Sequence, residues 1–286
     1  MRRPSSIAID LPSRPRYDAP YTRAPIDLAI VAIIPARFGS TRLPGKPLSD
    51  IHGRTMIEHV HERVRRARRI DRILVATDDE RVAAAVRAFG GEAVLTSPSH
   101  PTGTDRLAEA TRASDADLVV NVQGDEPMLD PAGIDAAVES LLADPTLPMA
   151  TLSLPLRDVE EMLSASVVKV VTDARGDALY FSRSPIPHVR IDAGGPRAAA
   201  EAAVARGLAR KHVGLYVFRR EALLRFAALP PSPLEEAEGL EQLRALQNGI
   251  RIRVVPMDGG GGVAVDTPQD LERVRELLAP GGSRSG

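Results

Sequence analysis

Between residues 28 and 142 four apolar runs each lead into a segment with helical spacing: 28–34 then 55–69, 72–77 then 80–89, 93–96 then 105–112, and 118–122 then 131–142. A chain that repeats strand then helix in this way can bury both partners only by lining the strands up in one sheet and laying the helices across it. The predicted class is therefore α/β, with a mixed, mostly parallel central sheet flanked by helices. Helix ends support the reading. Thr55 precedes Met56, Ile57, Val60 and Val64 at helical intervals, and Gly90-Gly91 stops the second helix. After residue 149 the rhythm changes to strand-like runs at 150–156, 167–172 and 178–181, the last two joined at Arg175-Gly176 as a hairpin, so a smaller β-rich elaboration is expected. A Gly/Ala stretch (192–205), a strand at 212–218, one helix at 234–246, a strand at 250–256 and a closing helix at 267–278 complete the reading.

The first strand ends in a basic, glycine-containing loop, I-I-P-A-R-F-G-S-T-R-L-P-G-K-P from Ile33 to Pro47. Such a loop turns successive backbone N–H groups toward one point, and Arg37, Arg42 and Lys46 add three cations within ten residues. That combination suits several phosphate oxygens at once. Gly39, Gly45 and Lys46 come close to the pattern G-x-x-x-x-G-K-[ST], but five residues rather than four separate the two glycines and Pro47 stands where a magnesium-binding hydroxyl belongs, which argues against an ATPase-type loop. A solvated turn is the alternative. Pro35, Pro44 and Pro47 stiffen the segment beyond the needs of a connector.

Bulk properties narrow the partners. A net charge of −1 provides no field to gather nucleic acid or anionic lipid. Cysteine is absent, so thiolate metal sites, cysteine nucleophiles and disulfides are excluded. No apolar run approaches membrane-spanning length, and a cytoplasmic protein with no membrane span is expected. Residues 1–26 hold five prolines and five arginines among few apolar residues and read as a disordered extension; 280–286 reads as a flexible tail. The rest, 27–279, reads as one domain, with a nucleotide-binding half at 27–148 and an elaboration at about 149–257.

A phosphate cradle calls for a divalent cation, and its hard oxygen ligands are expected at strand ends. Two acids qualify. Asp125 follows the apolar run ending V-N-V-Q-G, and Asp266 follows G-V-A-V just before a helix start at Thr267-Pro268. The alternative for Asp266 is a plain helix N-terminal residue; capping of the helix after Asp125 is better served by Asp130.

These segments closely resemble the 3-deoxy-manno-octulosonate (Kdo) cytidylyltransferases over nearly all of residues 30–278. The motifs are IIPARFGSTRLPGKPL (33–48), ILVATDD (73–79), TGTDRLAE (102–109), VNVQGDEP (120–127), VKVV (168–171), ALYFSRSPIP (178–187), RKHVGLY (210–216), SPLEEAEGLEQLR (232–244) and VDTPQDLERVR (265–275). The resemblance implies the nucleotide-diphospho-sugar transferase, Rossmann-like fold, and an enzyme that joins Kdo to CTP with Mg²⁺, releasing pyrophosphate, for bacterial lipopolysaccharide. It implies Lys46, Arg37, Asp125 and Asp266 as catalytic residues, with Asp125 and Asp266 on the metal. A nucleotide pocket of Ala36, Arg37, Arg42, Lys46, Asp78, Thr102, Gly103, Arg106 and Asp125 follows, as does a sugar pocket of Gln123, Arg183, His212, Tyr216, Glu238 and Glu241. A homodimer is implied too, through the segment near 150–190.

Spacing alone leaves alternatives open at several of these positions. Glu238 and Glu241, i and i+3 on the expected single helix, read equally as a salt-bridged solvent face, and a lone His such as His212 in a strand is commonly structural. Three features depart from the family: His188-Val189-Arg190 after Pro187, the glycine run 259–262, and the basic front extension. Rival readings are a cytidylyltransferase for 8-amino-Kdo or sialic acid, a metal-dependent glycosyltransferase, which normally carries an acidic pair where this chain has Asp125, and a non-catalytic nucleotide-binding protein.

Overall fold

A computed structural model describes residues 28–39, 42–259 and 262–279. The front extension, the C-terminal tail and the middle of the glycine run lie outside the described residues.

Strand β1 (Ile30–Ala36) sits between β4 (Arg72–Thr77) and β6 (Leu118–Asn121), parallel to both, and β5 (Glu92–Leu95) extends the parallel set beyond β4. On the other side β10 (Arg210–Arg219) runs antiparallel to β6 and to β7 (Met149–Pro155), and β11 (Ile252–Pro256) closes that edge parallel to β7. The hairpin of β8 (Lys169–Thr172) and β9 (Ala178–Ser182) branches from β10, giving nine strands in the order β11-β7-β10-β6-β1-β4-β5 plus the hairpin, while the short strands β2 (Asp50–Ile51) and β3 (Arg54–Thr55) pair separately. Only β10 and β9 run against the rest, so the sheet is mixed and mostly parallel, as expected.

Alternation along β1 decides which layer each residue joins. Ile30, Ala32 and Ile34 pack with Val60 and Val64 of α1 (Met56–Arg65), Val82 and Val86 of α2 (Glu80–Ala88), and Ile134 and Val138 of α4 (Pro131–Ala143). Val31 and Ile33 face the opposite layer, with Leu107 of α3 (Gly103–Arg112), Phe226 of α7 (Arg220–Ala227) and Leu243 of α9 (Gln242–Gln247). A parallel strand covered on both faces reads as a continuous apolar run, which is why 28–34 is legible.

Caps set the helix starts. Thr55 accepts from Glu58 N before α1, Asp130 from Ala132 N before α4, and Thr102 and Thr267 form capping boxes with Asp105 and Asp270 before α3 and α10 (Pro268–Leu277). Three expectations need correction. The Gly/Ala stretch contains α6 (Gly195–Ala205), whose Ala200 and Ala203 bury against Met162 of α5 (Val159–Leu163). Elements α5 and α7 were not foreseen. The single helix expected at 234–246 is two, α8 (Pro233–Glu238) and α9, broken at Gly239 with φ 60°. A left-handed residue ends a helix, so Glu238 and Glu241 occupy two helix ends rather than one face.

Candidate active site

The C-terminal ends of β1 and β6 define the site, as the fold class predicts. Beyond β1 the chain turns through the basic loop, closed by Gly45 N donating to Phe38 O at 3.1 Å with Gly45 at φ 70°. The Arg81 guanidinium lies 3.5 Å from the centroid of the Phe38 ring and backs the loop. A short 3-10 turn, Lys46–Leu48, then aims Lys46 inward. Gly124, after β6, passes so close to β1 that a Cβ there would lie 2.7 Å from Pro35 O.

Lys46 Nζ lies 2.7 Å from Asp125 Oδ2, 3.1 Å from Asp266 Oδ1 and 2.8 Å from Val265 O; Arg42 Nη2 is 3.0 Å from Asp266 Oδ1. The segment carrying Asp266 is pinned to the β6 loop by Val265 N donating to Asp125 O at 2.9 Å. Burial acts to lower the pKa of Lys46, but the two carboxylates outweigh it and hold the ammonium above its ordinary value. Around them opens a cleft of about 450 Å³ whose lining includes Ala36, Arg37, Arg42, Lys46, Gly103, Gln123, Asp125 and Asp266.

The carboxylates already converge on one cation, the Lys46 ammonium, and hard oxygen donors are the right chemistry for Mg²⁺. Among the described residues no group of three or more His, Cys, Asp or Glu gathers to hold a metal. Magnesium commonly takes one or two carboxylates and completes its shell from phosphate and water, so this pair fits it beside a bound triphosphate.

Asp78, Thr102 and Arg106 are not among the residues that line the cleft. Arg106 is fully buried, its Nη2 2.8 Å from Asp78 Oδ2, its Nη1 on the Thr96 hydroxyl, and its Nε without a partner. Thr102 caps α3, whose first residue, Gly103, lines the cleft.

A second cavity, about 160 Å³, shares Pro35, Gly103 and Gln123 with the first and adds Thr104, Asn121, Tyr216, Phe218, Glu241 and Gln242. Two buried acceptors on its walls, Asn121 Oδ1 and Glu241 Oε1, have no hydrogen-bond partner. Burial raises the pKa of Glu241 against the hydrogen bond from the Thr104 hydroxyl and the charge of Arg244, and burial likewise raises Tyr216. Sequence reasoning missed Asn121 and Thr104. A single Asn within an apolar strand and a Thr in a helix's first turn carry no signal beyond their polarity.

The other proposed sugar residues lie elsewhere. His212 lines a separate cavity of about 390 Å³ with Glu126, Ser166, Lys211 and Gly214. Its ring stands 5.0 Å from Phe181 and 5.4 Å from Tyr216, and burial lowers its pKa to about 3. The guanidinium of Arg183 donates to the carbonyls of Glu238 (2.7 Å), Ala165 (3.0 Å) and Gly239 (3.3 Å). Glu238 accepts from the Ser182 hydroxyl at 2.6 Å and Arg183 N at 2.9 Å; burial acts to raise its pKa, and these bonds hold it below its ordinary value. The hairpin end and the α8–α9 junction are thus tied together beside the second cavity.

Comparisons with known proteins point to one family. Residues 31–252 match the family model described as cytidylyltransferase. The 3-deoxy-manno-octulosonate cytidylyltransferase of Geobacter metallireducens is 54% identical over 252 residues, 88% of this chain and 98% of the relative, and that of Syntrophotalea carbinolica is 56% identical over 88% and 99%. A solved structure of CMP:2-keto-3-deoxy-manno-octonic acid synthetase complexed with CTP superposes with TM-score 0.79 at 47% identity, over 87% of this chain and 98% of that one. A cytidylyltransferase from Leptospira borgpetersenii, TM-score 0.59 at 16% identity, shares the fold. Matched by the family model over residues 31–252 and by relatives more than 50% identical along nearly their full length, the chain belongs to the cytidylyltransferase family, and within it to the 3-deoxy-manno-octulosonate cytidylyltransferases.

Proposed function

We propose that this protein joins Kdo to CTP, giving CMP-Kdo and pyrophosphate. The observation that carries the reading is the meeting of Arg37, Arg42 and Lys46 with Asp125 and Asp266 around one cleft that opens onto a polar-walled second cavity. The anomeric hydroxyl of the sugar acid attacks the α-phosphorus of CTP, the new C–O–P linkage forms, the bond to the β-phosphate oxygen breaks, and the sugar's proton passes to solvent. Charge gathers on the nonbridging and leaving oxygens, so positioning and cations dominate the barrier.

Arg37 and Arg42 neutralise the β- and γ-phosphates, and Lys46 the α-phosphate and the departing oxygen. Asp125 and Asp266 are the residues that would hold Mg²⁺. When bound, the metal supplies charge neutralisation and a lowered pKa for the attacking hydroxyl. Ala36, Thr102 and Gly103 place the nucleotide; Asp78 is held in position by Arg106. The sugar acid sits beside Gln123 in the second cavity. There Asn121 Oδ1 and Glu241 Oε1, which accept no hydrogen bond although the latter lies 3.8 Å from Arg244 Nη2, call for donors, and a polyhydroxylated substrate brings them. Arg183, His212 and Glu238 do not line this cavity; Arg183 and Glu238 tie the hairpin to the α8–α9 junction, and the ring of His212 packs against that of Tyr216.

The proposal includes a cytoplasmic reaction and a homodimer formed through the β8–β9 hairpin. Leu179 is 62% exposed there on a strand that pairs only with β8 among the described residues. Among those residues, no helix is long and apolar enough to cross a membrane. Pyrophosphate release, measured for eight- and nine-carbon sugar acids against all four nucleoside triphosphates, tests the assignment. Turnover is expected with CTP and Kdo, and preference for another sugar acid or nucleotide overturns it.

A further inference from the structure

Strand β10 is not regular. Its register against β7 pairs Val213 with Leu152 and Tyr216 with Thr151, so Gly214 and Leu215 bulge out of the ladder. In a flat strand residues four apart are separated by about 13 Å, yet the rings of His212 and Tyr216 stand 5.4 Å apart across this bulge.

One buried hydroxyl holds the distortion. Thr151 Oγ1 lies 2.7 Å from Leu215 O, 3.1 Å from Val213 O and 2.8 Å from His212 Nε2. A hydroxyl has a single proton and both carbonyls are acceptors, so its proton goes to the carbonyls and it must accept from the imidazole. His212 Nε2 therefore carries hydrogen, and Nδ1 is the acceptor of the neutral ring. The same bulge offers Gly214 O to Gln123 Nε2 at 3.3 Å, which orients that amide with its nitrogen toward the bulge and leaves Oε1 for other partners.

The geometry points to Thr151 as a positioning residue for the sugar acid: its hydroxyl fixes the β10 bulge, the tautomer of His212 and, through Gly214 O, the amide of Gln123. The inference rests on the functional reading above, and it goes beyond it in naming a residue that touches neither substrate. Three side chains, Gln123 and Tyr216 on the wall of the second cavity and His212 on that of the neighbouring one, take their arrangement from one hydroxyl, whereas the phosphate loop and Asp125 are anchored independently.

The test pairs Thr151→Val, which keeps shape but removes the hydroxyl, with Thr151→Ser, which keeps the hydroxyl. For Val, the Kdo KM is expected to rise about tenfold, the worth of one hydrogen bond of about 1.4 kcal/mol, with the CTP KM within about twofold of wild type; Ser is expected to restore it. ¹⁵N NMR of the wild-type protein is expected to show His212 protonated at Nε2, and a proton on Nδ1 instead overturns the inference whether or not the Val variant folds. An unchanged Kdo KM in folded Thr151→Val, or equal loss for both substrates, also overturns it. Wild-type protein that releases no pyrophosphate from CTP with Kdo overturns the functional reading itself, a result distinct from either of these.

Discussion

Lys46 and Asp266 stand 220 positions apart in the chain and meet at 3.1 Å, with Asp125 completing the contact from the other side of the ammonium. Neither acid is deeply buried, their side chains being 43% and 27% exposed, so their closeness reflects the site rather than packing of the core. Two carboxylates this close repel unless a cation lies between them.

Removing either acid is therefore expected to damage turnover far more than folding. Asp125→Ala and Asp266→Ala should each lower kcat by at least about a hundredfold, the usual scale for a group that organises charge in the transition state. Far-UV circular dichroism should stay that of wild type. Normal rates of pyrophosphate release in folded variants would remove these residues from the mechanism.

Arg106 couples stability to binding. It is fully buried and pairs with Asp78, so Arg106→Met leaves a carboxylate without its partner and should cost about 3 kcal/mol by urea unfolding. The CTP KM should rise as well, because Asp78 loses its anchor. Arg106→Lys should recover only part of the loss, since an ammonium cannot span Asp78 and Thr96 as the guanidinium fork does. Full recovery would contradict the fork argument.

His212 sets an acid limit on stability. Its folded pKa, lowered to about 3 by burial, lies below the unfolded value, which is about 6.5. As pH falls below about 6.5, the unfolded chain takes up a proton that the folded chain refuses, so this group contributes stability that is full above that pH and declines down to about 3. Between pH 7 and pH 5 wild type should lose about 2 kcal/mol more than His212→Gln, as the linkage slope requires. Parallel urea midpoints for both proteins across that range would refute it.

Gly124→Ala tests the close approach of β6 to β1. The added carbon would fall 2.7 Å from Pro35 O, a backbone atom that cannot swing aside. Displacement of the loop carrying Asp125 should cut kcat at least about tenfold and cost about 1–3 kcal/mol. A wild-type rate in this variant would mean the loop shifts without moving the acid.

The fold was legible where local and tertiary preferences agree. Strand β4 falls on the residues expected from periodicity, and the caps at Thr55, Asp130 and Thr267 stand at predicted helix starts. Disagreement arose where one residue overrides a pattern. Gly239 sits inside a segment with helical spacing, and its positive φ divides it in two. Helix α6 was hidden because alanine gives little periodic contrast, although Ala200 and Ala203 bury together. At the site, the loop and both acids were visible from strand-end position and charge, and the structure brings them together. Asn121 was not, because only the fold shows that a polar atom on a core strand lacks a partner. Nor can periodicity reveal a bulge, which is a property of two strands rather than one.

The hydrogen bond from Val265 N to Asp125 O stitches the last segment of the described chain onto the first half of the sheet. Every strand of the sheet precedes Asp266 in the chain, so the scaffold is laid down by residues that do not include one of the two acids, and the centre is complete only where the segment before α10 is seated on the loop after β6.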